Sequence, residues 1–286
     1  MKKSKLVVMG LMLALAFTSC EKNNDADLME TEDLSITEAV SLEASIEGVE
    51  DVTDQYILYS GAFLQYDGIA SKGDPRHFGF FRECAIIESV ITDTSYVINI
   101  TFEEECEDKH GNTVSGVITI TKEISDTSKE RTITFVDFTV NGYVVNGAKT
   151  FNYTAENANG NPEMSGTVDI SIETEEGTIS KVGNRTIEIT AGAETDSWLD
   201  DEITKTASFS YTRASGAMFT MEITTPLVKP AECKYFASGV REFTNDEGTS
   251  SLDYGDSTCD NIAVLTDSDG NETEIELRKG RRKKKH

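Results

Sequence analysis

RTITFVDFTVNGYVVNGAKTFNYT, residues 131–154, is the stretch whose reading decides the fold. Ile133 and Phe135, then Phe138 and Val140, alternate with polar residues, which is the two-residue period of a strand that buries one face and wets the other. Asn141-Gly142 follows at once, the dipeptide that tolerates the left-handed backbone of a two-residue hairpin. A second run, Tyr143–Thr154, then starts the return. The unit is a β-hairpin.

Working outward, the same signature recurs as VITITKEI (117–124), GTVDISIET (166–174), RTIEIT (185–190), ITKTASFSYT (203–212), AMFTMEITT (217–225), KYFASGVREF (234–243), IAVLTD (262–267) and ETEIELR (272–278). Asn141-Gly142, Asn146-Gly147, Asn159-Gly160 and Asp269-Gly270 sit between or near these runs as tight-turn residues. The expectation is a mainly β protein, an antiparallel meander of about ten or more strands with a short N-terminal helical segment. A sheet that large has to hide its apolar face. It does so either by curving over the N-terminal segment or by splitting into a two-sheet sandwich.

That segment, residues 35–80, reads as partly helical. Ser35 and Glu38 have capping-box spacing, and Ile36, Ala39, Val40, Ile46 and Val49 could share one face. Val40, Leu42, Ala44 and Ile46 also fit the strand period, so both readings stand.

The residues before it read as an address. Lys2, Lys3 and Lys5 precede an apolar stretch, Leu6–Phe17, that is too short to span a bilayer, where roughly 20 residues are needed. Residues 1–19 are thus an export signal. Ala14-Leu15-Ala16 would suit ordinary signal peptidase, whereas Phe17-Thr18-Ser19-Cys20 has the form of a lipobox, whose cysteine becomes the acylated first residue. Cysteine counting separates the two. Of five cysteines, lipidation would consume Cys20 and leave Cys84, Cys106, Cys233 and Cys259 to pair, as an oxidising compartment favours. Residues 20–34 then form the lipid anchor and an acidic tether.

Cys84 and Cys106 bracket one expected hairpin, and Cys233 and Cys259 bracket another. Local pairing, 84 with 106 and 233 with 259, is the simplest of the three connectivities. The antiparallel domain accordingly runs over 81–278, with a basic tail at 279–286.

The string KHGNTVSGVITIT after Cys106, the central VNGYVVNGAKT and the closing DYGDSTCDN resemble a group of uncharacterised Bacteroidota outer-membrane or surface lipoproteins. The resemblance covers roughly residues 80–278. It implies a β-rich envelope lipoprotein, on the cell surface or the periplasmic face of the outer membrane, and carries no catalytic residues with it.

Charge excludes one class of partner. The chain has a formal charge of −25; with the ten Lys and Arg of residues 1–19 and 278–286 set aside, 16 basic residues face 51 acids, or −35. Such a body repels nucleic-acid phosphates. The expected partners are a membrane, through the N-terminal lipid, and a glycan, lipid or envelope-protein ligand.

Chemistry is sparse. His77, His110 and His286 are the only histidines, and no H-E-x-x-H, C-x-x-C, G-x-S-x-G or phosphate-loop spacing occurs. Glu103–Glu105 and Asp200–Glu202 are carboxylate clusters, yet one tryptophan is a poor endowment for a sugar cleft. The expectation is no enzyme, no catalytic residues and no cofactor. Calcium is the metal the sequence could favour, through Asp253, Asp256 and Asp260 in DYGDSTCD and Asp267 and Asp269 in DSDGNE, although neither fits an EF-hand loop. The tail residues Arg278, Lys279, Arg281, Arg282, Lys283, Lys284 and Lys285 could attract an anionic envelope component. Three functions compete: a non-catalytic binding or scaffold module, a half-barrel carrier of a lipid or other apolar ligand, and, least supported, a hydrolase.

Overall fold

The computed structural model of the chain describes residues 84–107, 112–123, 130–174, 177–195, 200–233 and 235–277. Cys20, the expected signal, tether and helical segment, all three histidines and the basic tail from Arg278 onward lie outside the described residues. Among the described residues there is no helix, and thirteen strands form one sheet.

In chain order they are β1 (Ala85–Ile91), β2 (Ser95–Glu107), β3 (Thr113–Glu123), β4 (Glu130–Val140), β5 (Tyr143–Thr154), β6 (Glu163–Thr174) and β7 (Gly177–Ala191). There follow β8 (Glu202–Thr212), β9 (Met218–Pro230), β10 (Ser238–Asn245), β11 (Gly248–Asp256), β12 (Ile262–Thr266) and β13 (Glu272–Glu276). Each pairs antiparallel with the next, and spatial order equals sequence order. The expected meander is therefore one open sheet, without the crossovers of a sandwich.

Alternation sets which face is dry. Tyr96, Ile98, Ile100 and Phe102 of β2 are buried while their neighbours are at least partly exposed, and registers carry the same face across the sheet. Ile120 pairs with Ile133, and Ile133 with Lys149. Lys149 pairs with Val168, Val168 with Gly183, and Gly183 with Phe209. Phe209 pairs with Met221, Met221 with Phe243, and Phe243 with Ser250. This inner row crosses nine strands. The outer face is hydroxyl-rich: Thr121, Thr132, Thr150 and Thr167 stand in register on four adjacent strands, and the Thr150 and Thr167 hydroxyls hydrogen-bond at 2.7 Å.

Asn141-Gly142 makes the β4–β5 turn with both residues left-handed (φ 53° and 83°), as the hairpin chemistry requires. Asn146-Gly147 corrects the sequence reading. It lies inside β5, not at a turn, and Gly147 instead marks a bend at φ 103°. A Cβ there would overlap the Asp169 carbonyl oxygen, and one on Gly116 would overlap that of Asp137. Glycines and bulges are how large sheets coil.

Both disulfides form as expected. Cys84–Cys106 clasps the β1–β2 hairpin with a Cα separation of 5.5 Å, and Cys233–Cys259 clasps the β10–β11 hairpin at 5.0 Å. These separations are ordinary for the bond. Closing loops of 22 and 26 residues is expected to stabilise the fold by about 3 kcal/mol each. A Cys84→Ser/Cys106→Ser double variant should show a denaturant midpoint lowered to match that figure; an unchanged midpoint would contradict it. Two intact disulfides fit an oxidising, non-cytoplasmic compartment. Among the described residues no helix is long and apolar enough to cross a membrane.

Candidate functional site

The inner face holds the one concentration of chemically unusual side chains. Arg131, Lys149, Lys181, Arg185, Lys205 and Arg241 all point into it, each 6% exposed or less. Register explains how they cluster. Arg131 faces Phe151, Phe151 faces Gly166, and Gly166 faces Arg185, in one line across β4–β7. In the adjoining lines Lys181 faces Tyr211, Lys205 faces Leu227, and Arg241 lies between Ile223 and Leu252.

Aromatic rings receive several of these charges. Lys181 Nζ stands 4.0 Å from the centroid of Phe209 and 5.4 Å from that of Tyr211. The Arg185 guanidinium lies 4.8 Å from Phe151, and that of Arg241 lies 5.2 Å from Tyr254 and 5.5 Å from Phe236. Tyr211 and Phe219 stack at 4.4 Å. Each cation over a ring contributes on the order of 1–2 kcal/mol when desolvated. Ser250 shares this face, and its buried hydroxyl makes no hydrogen bond.

Sequence reasoning missed this set. A lone Lys or Arg in a strand pattern reads as outward-facing, and only its phase with the apolar positions tells otherwise: Arg131 precedes Ile133 by two, Lys149 precedes Phe151, and Lys205 precedes Ala207.

The aspartates singled out for calcium are each engaged in their own turn. Asp253 Oδ1 accepts from the Gly255 N–H at 2.8 Å, Asp256 Oδ1 from the Thr258 hydroxyl at 2.7 Å, and Asp260 Oδ1 from the Ile262 N–H at 2.9 Å. Asp267 accepts from the Asp269 and Asn271 N–H groups at 3.0 and 2.8 Å, which together with the Asn271 side chain holds its carboxyl below the usual range. Asp269 is exposed at the tip of that turn. These are side chains capping their own backbone. Among the described residues the one group of three acid or thiol ligand atoms within reach of a single ion is Glu232, Cys233 and Cys259. Both its sulfurs are committed to the disulfide.

A second polar cluster sits at the β5–β6 loop. Asn161 and Asn159 donate to Glu188 Oε1 at 2.8 and 3.2 Å, and Asn157 donates to Glu163 Oε2 at 3.0 Å. The hydrogen bond from Asn161, with those of its neighbours, holds the Glu188 carboxyl below its ordinary value. A carboxyl depressed in the folded state adds stability above its unfolded pKa of about 4.3 and loses it as pH falls through the folded value. The melting temperature of Glu188→Gln should therefore fall less steeply than that of the wild type as the pH drops from about 4.5 to 3. Parallel curves would rule this out.

The two sheet edges differ. β1 exposes Ile86, Ile87 and Val90, while β13 carries Glu272, Glu274 and Glu276, the charged blunting that keeps an edge from pairing.

No protein-family model matches the chain, and neither a curated protein nor a solved structure matches it. What fold and site define is an all-β, disulfide-clasped, single-sheet protein with a cationic inner face.

Proposed function

We propose that the chain is an exported lipoprotein, anchored in the outer membrane of a Bacteroidota-type envelope through acyl chains on Cys20, whose sheet is a non-catalytic binding or scaffold module. The cysteine partition carries the reading. Four of five cysteines are paired within the sheet, so the thiol at the end of the export signal is the one left for acylation. Two or more acyl chains hold a protein stably on a membrane where one does not.

Closure of the inner face supports a scaffold over a half-barrel carrier. An open trough ready for an apolar ligand would leave its lining accessible, whereas the thirty core residues are 8% exposed or less. Recognition of a glycan or envelope protein then falls to the hydroxyl-rich outer face and the acidic turns around Asp253–Asp260 and Asp267–Asp269. The basic tail adds attraction for anionic envelope components.

Intact-mass measurement of the protein extracted from native membranes tests this. The expected product starts at Cys20 and carries the mass of its acyl chains, and Cys20→Ser should move the protein to the soluble fraction. A bare sulfur at position 20, or a chain starting at Phe17, would overturn the reading.

A further inference from the structure

The inner face carries a charge problem that the described residues do not solve among themselves. Every buried charged side chain among them is a cation: Arg131, Lys149, Lys181, Arg185, Lys205 and Arg241. None of the six is without a partner. Removing such an ion from water costs several kcal/mol, more than ring contacts return, and carboxylates are the groups that offset it. There is a second demand. The described strands form one layer, and a face buried in a one-layer sheet needs something laid over it.

Two stretches of chain flank the sheet. Residues 278–286 hold seven Lys and Arg and no acid, so their sign is wrong for this role. Residues 31–83 lead directly into β1 and hold eleven Asp and Glu against three Lys and Arg; within 32–54 there are eight acids and no Lys or Arg. If 35–66 is helical, Glu43, Glu47, Glu50, Asp51 and Asp54 fall on one face, beside an apolar stripe of Leu42, Ile46 and Val49. The inner face offers the matching pair of stripes. Arg131 and Arg185 share one row, and Phe209, Met221 and Phe243 fill the next.

We propose that the acidic stretch 32–83 is the docked partner of the inner face, its carboxylates paired with the six buried cations and its apolar residues laid against the core rows. The pairing selects one segment of an acidic chain, because the remaining acids lie on strands whose phase turns them outward. It is independent of whether Cys20 is acylated.

Zero-length carbodiimide crosslinking of the full chain, followed by peptide mapping, tests it. The expected map joins Lys149, Lys181 or Lys205 to carboxylates within 32–83. A combined variant, Glu43→Gln, Glu47→Gln, Glu50→Gln, Asp51→Asn and Asp54→Asn, should let an amine-reactive reagent label those three lysines at least about tenfold faster than in the wild type, with Lys122 as the internal reference. Inner lysines linked only to carboxylates elsewhere, or to a second copy, would overturn the proposal. So would an anionic lipid retained in equal amount with the protein while links to 32–83 are missing. Should the variant fail to fold, the wild-type map decides alone: links from the inner lysines to 32–83 support the docking, and their absence beside recovered surface links refutes it.

Discussion

Gly166→Val should lower the melting temperature by roughly 6–12 °C, the equivalent of about 3 kcal/mol in a domain of this size. Gly166 lies on the inner face of β6, opposite Phe151 of β5 and Arg185 of β7. A Cβ built there would overlap the Thr150 carbonyl oxygen and crowd the Thr150 carbonyl carbon and Phe151 Cα at 2.8 and 2.9 Å. Those atoms are backbone and cannot swing aside, so the added group has to force β5 and β6 apart and break their ladder. Gly166→Ala is the sharper version. In an ordinary strand, replacing glycine by alanine stabilises; here the first methyl already clashes, and the sign should reverse. Thermal unfolding of both variants checks this, and melting within about 1 °C of the wild type would mean that the strands can part at little cost.

Phe209→Ala should destabilise the protein by about 3–5 kcal/mol, as for other large aromatic deletions in packed cores. The ring does three things at once. Its Cδ1 would lie 2.7 Å from a Cβ on Gly183, so the ring covers the gap left by that glycine on the neighbouring strand. It packs edge-on to Tyr211 at a centroid distance of 6.3 Å. It also provides the surface on which Lys181 Nζ rests. Alanine opens a cavity, uncovers Gly183 and strips the ammonium of its ring. Denaturant unfolding should show the midpoint fall with little change in slope. A loss below about 1.5 kcal/mol would show that the site collapses around the smaller side chain. Phe209→Leu should fall between the two, since it restores volume without the π face.

These positions show where sequence reading stops. Val168, Ile170 and Ile172 of β6 are recognisable as one buried face from their spacing alone, and the structure buries all three. The hairpins bracketed by the cysteine pairs were legible for a related reason: short loops between alternating runs leave local pairing as the shortest route. Asn146-Gly147 was misread because the dipeptide that makes a turn at 141–142 makes a bend within a strand five residues later, where eleven-residue pairing with β6 overrides local preference. The inner cations were missed because charge by itself predicts exposure, and only strand phase contradicts it.

What the amino-acid sequence determines by itself is the local order: antiparallel strands in succession, their wet and dry faces, the hairpins and the two crosslinks. All follow from the two-residue period and from turn chemistry acting over a few residues. Tertiary structure alone decided that thirteen strands stay in one sheet rather than two, that glycines 116, 147, 166 and 183 sit where neighbouring backbone leaves no room for a side chain, and that six cations share a buried face. The physical reason is that curvature and cross-strand neighbours come from registers summed over many strands, and no window of the chain contains that sum.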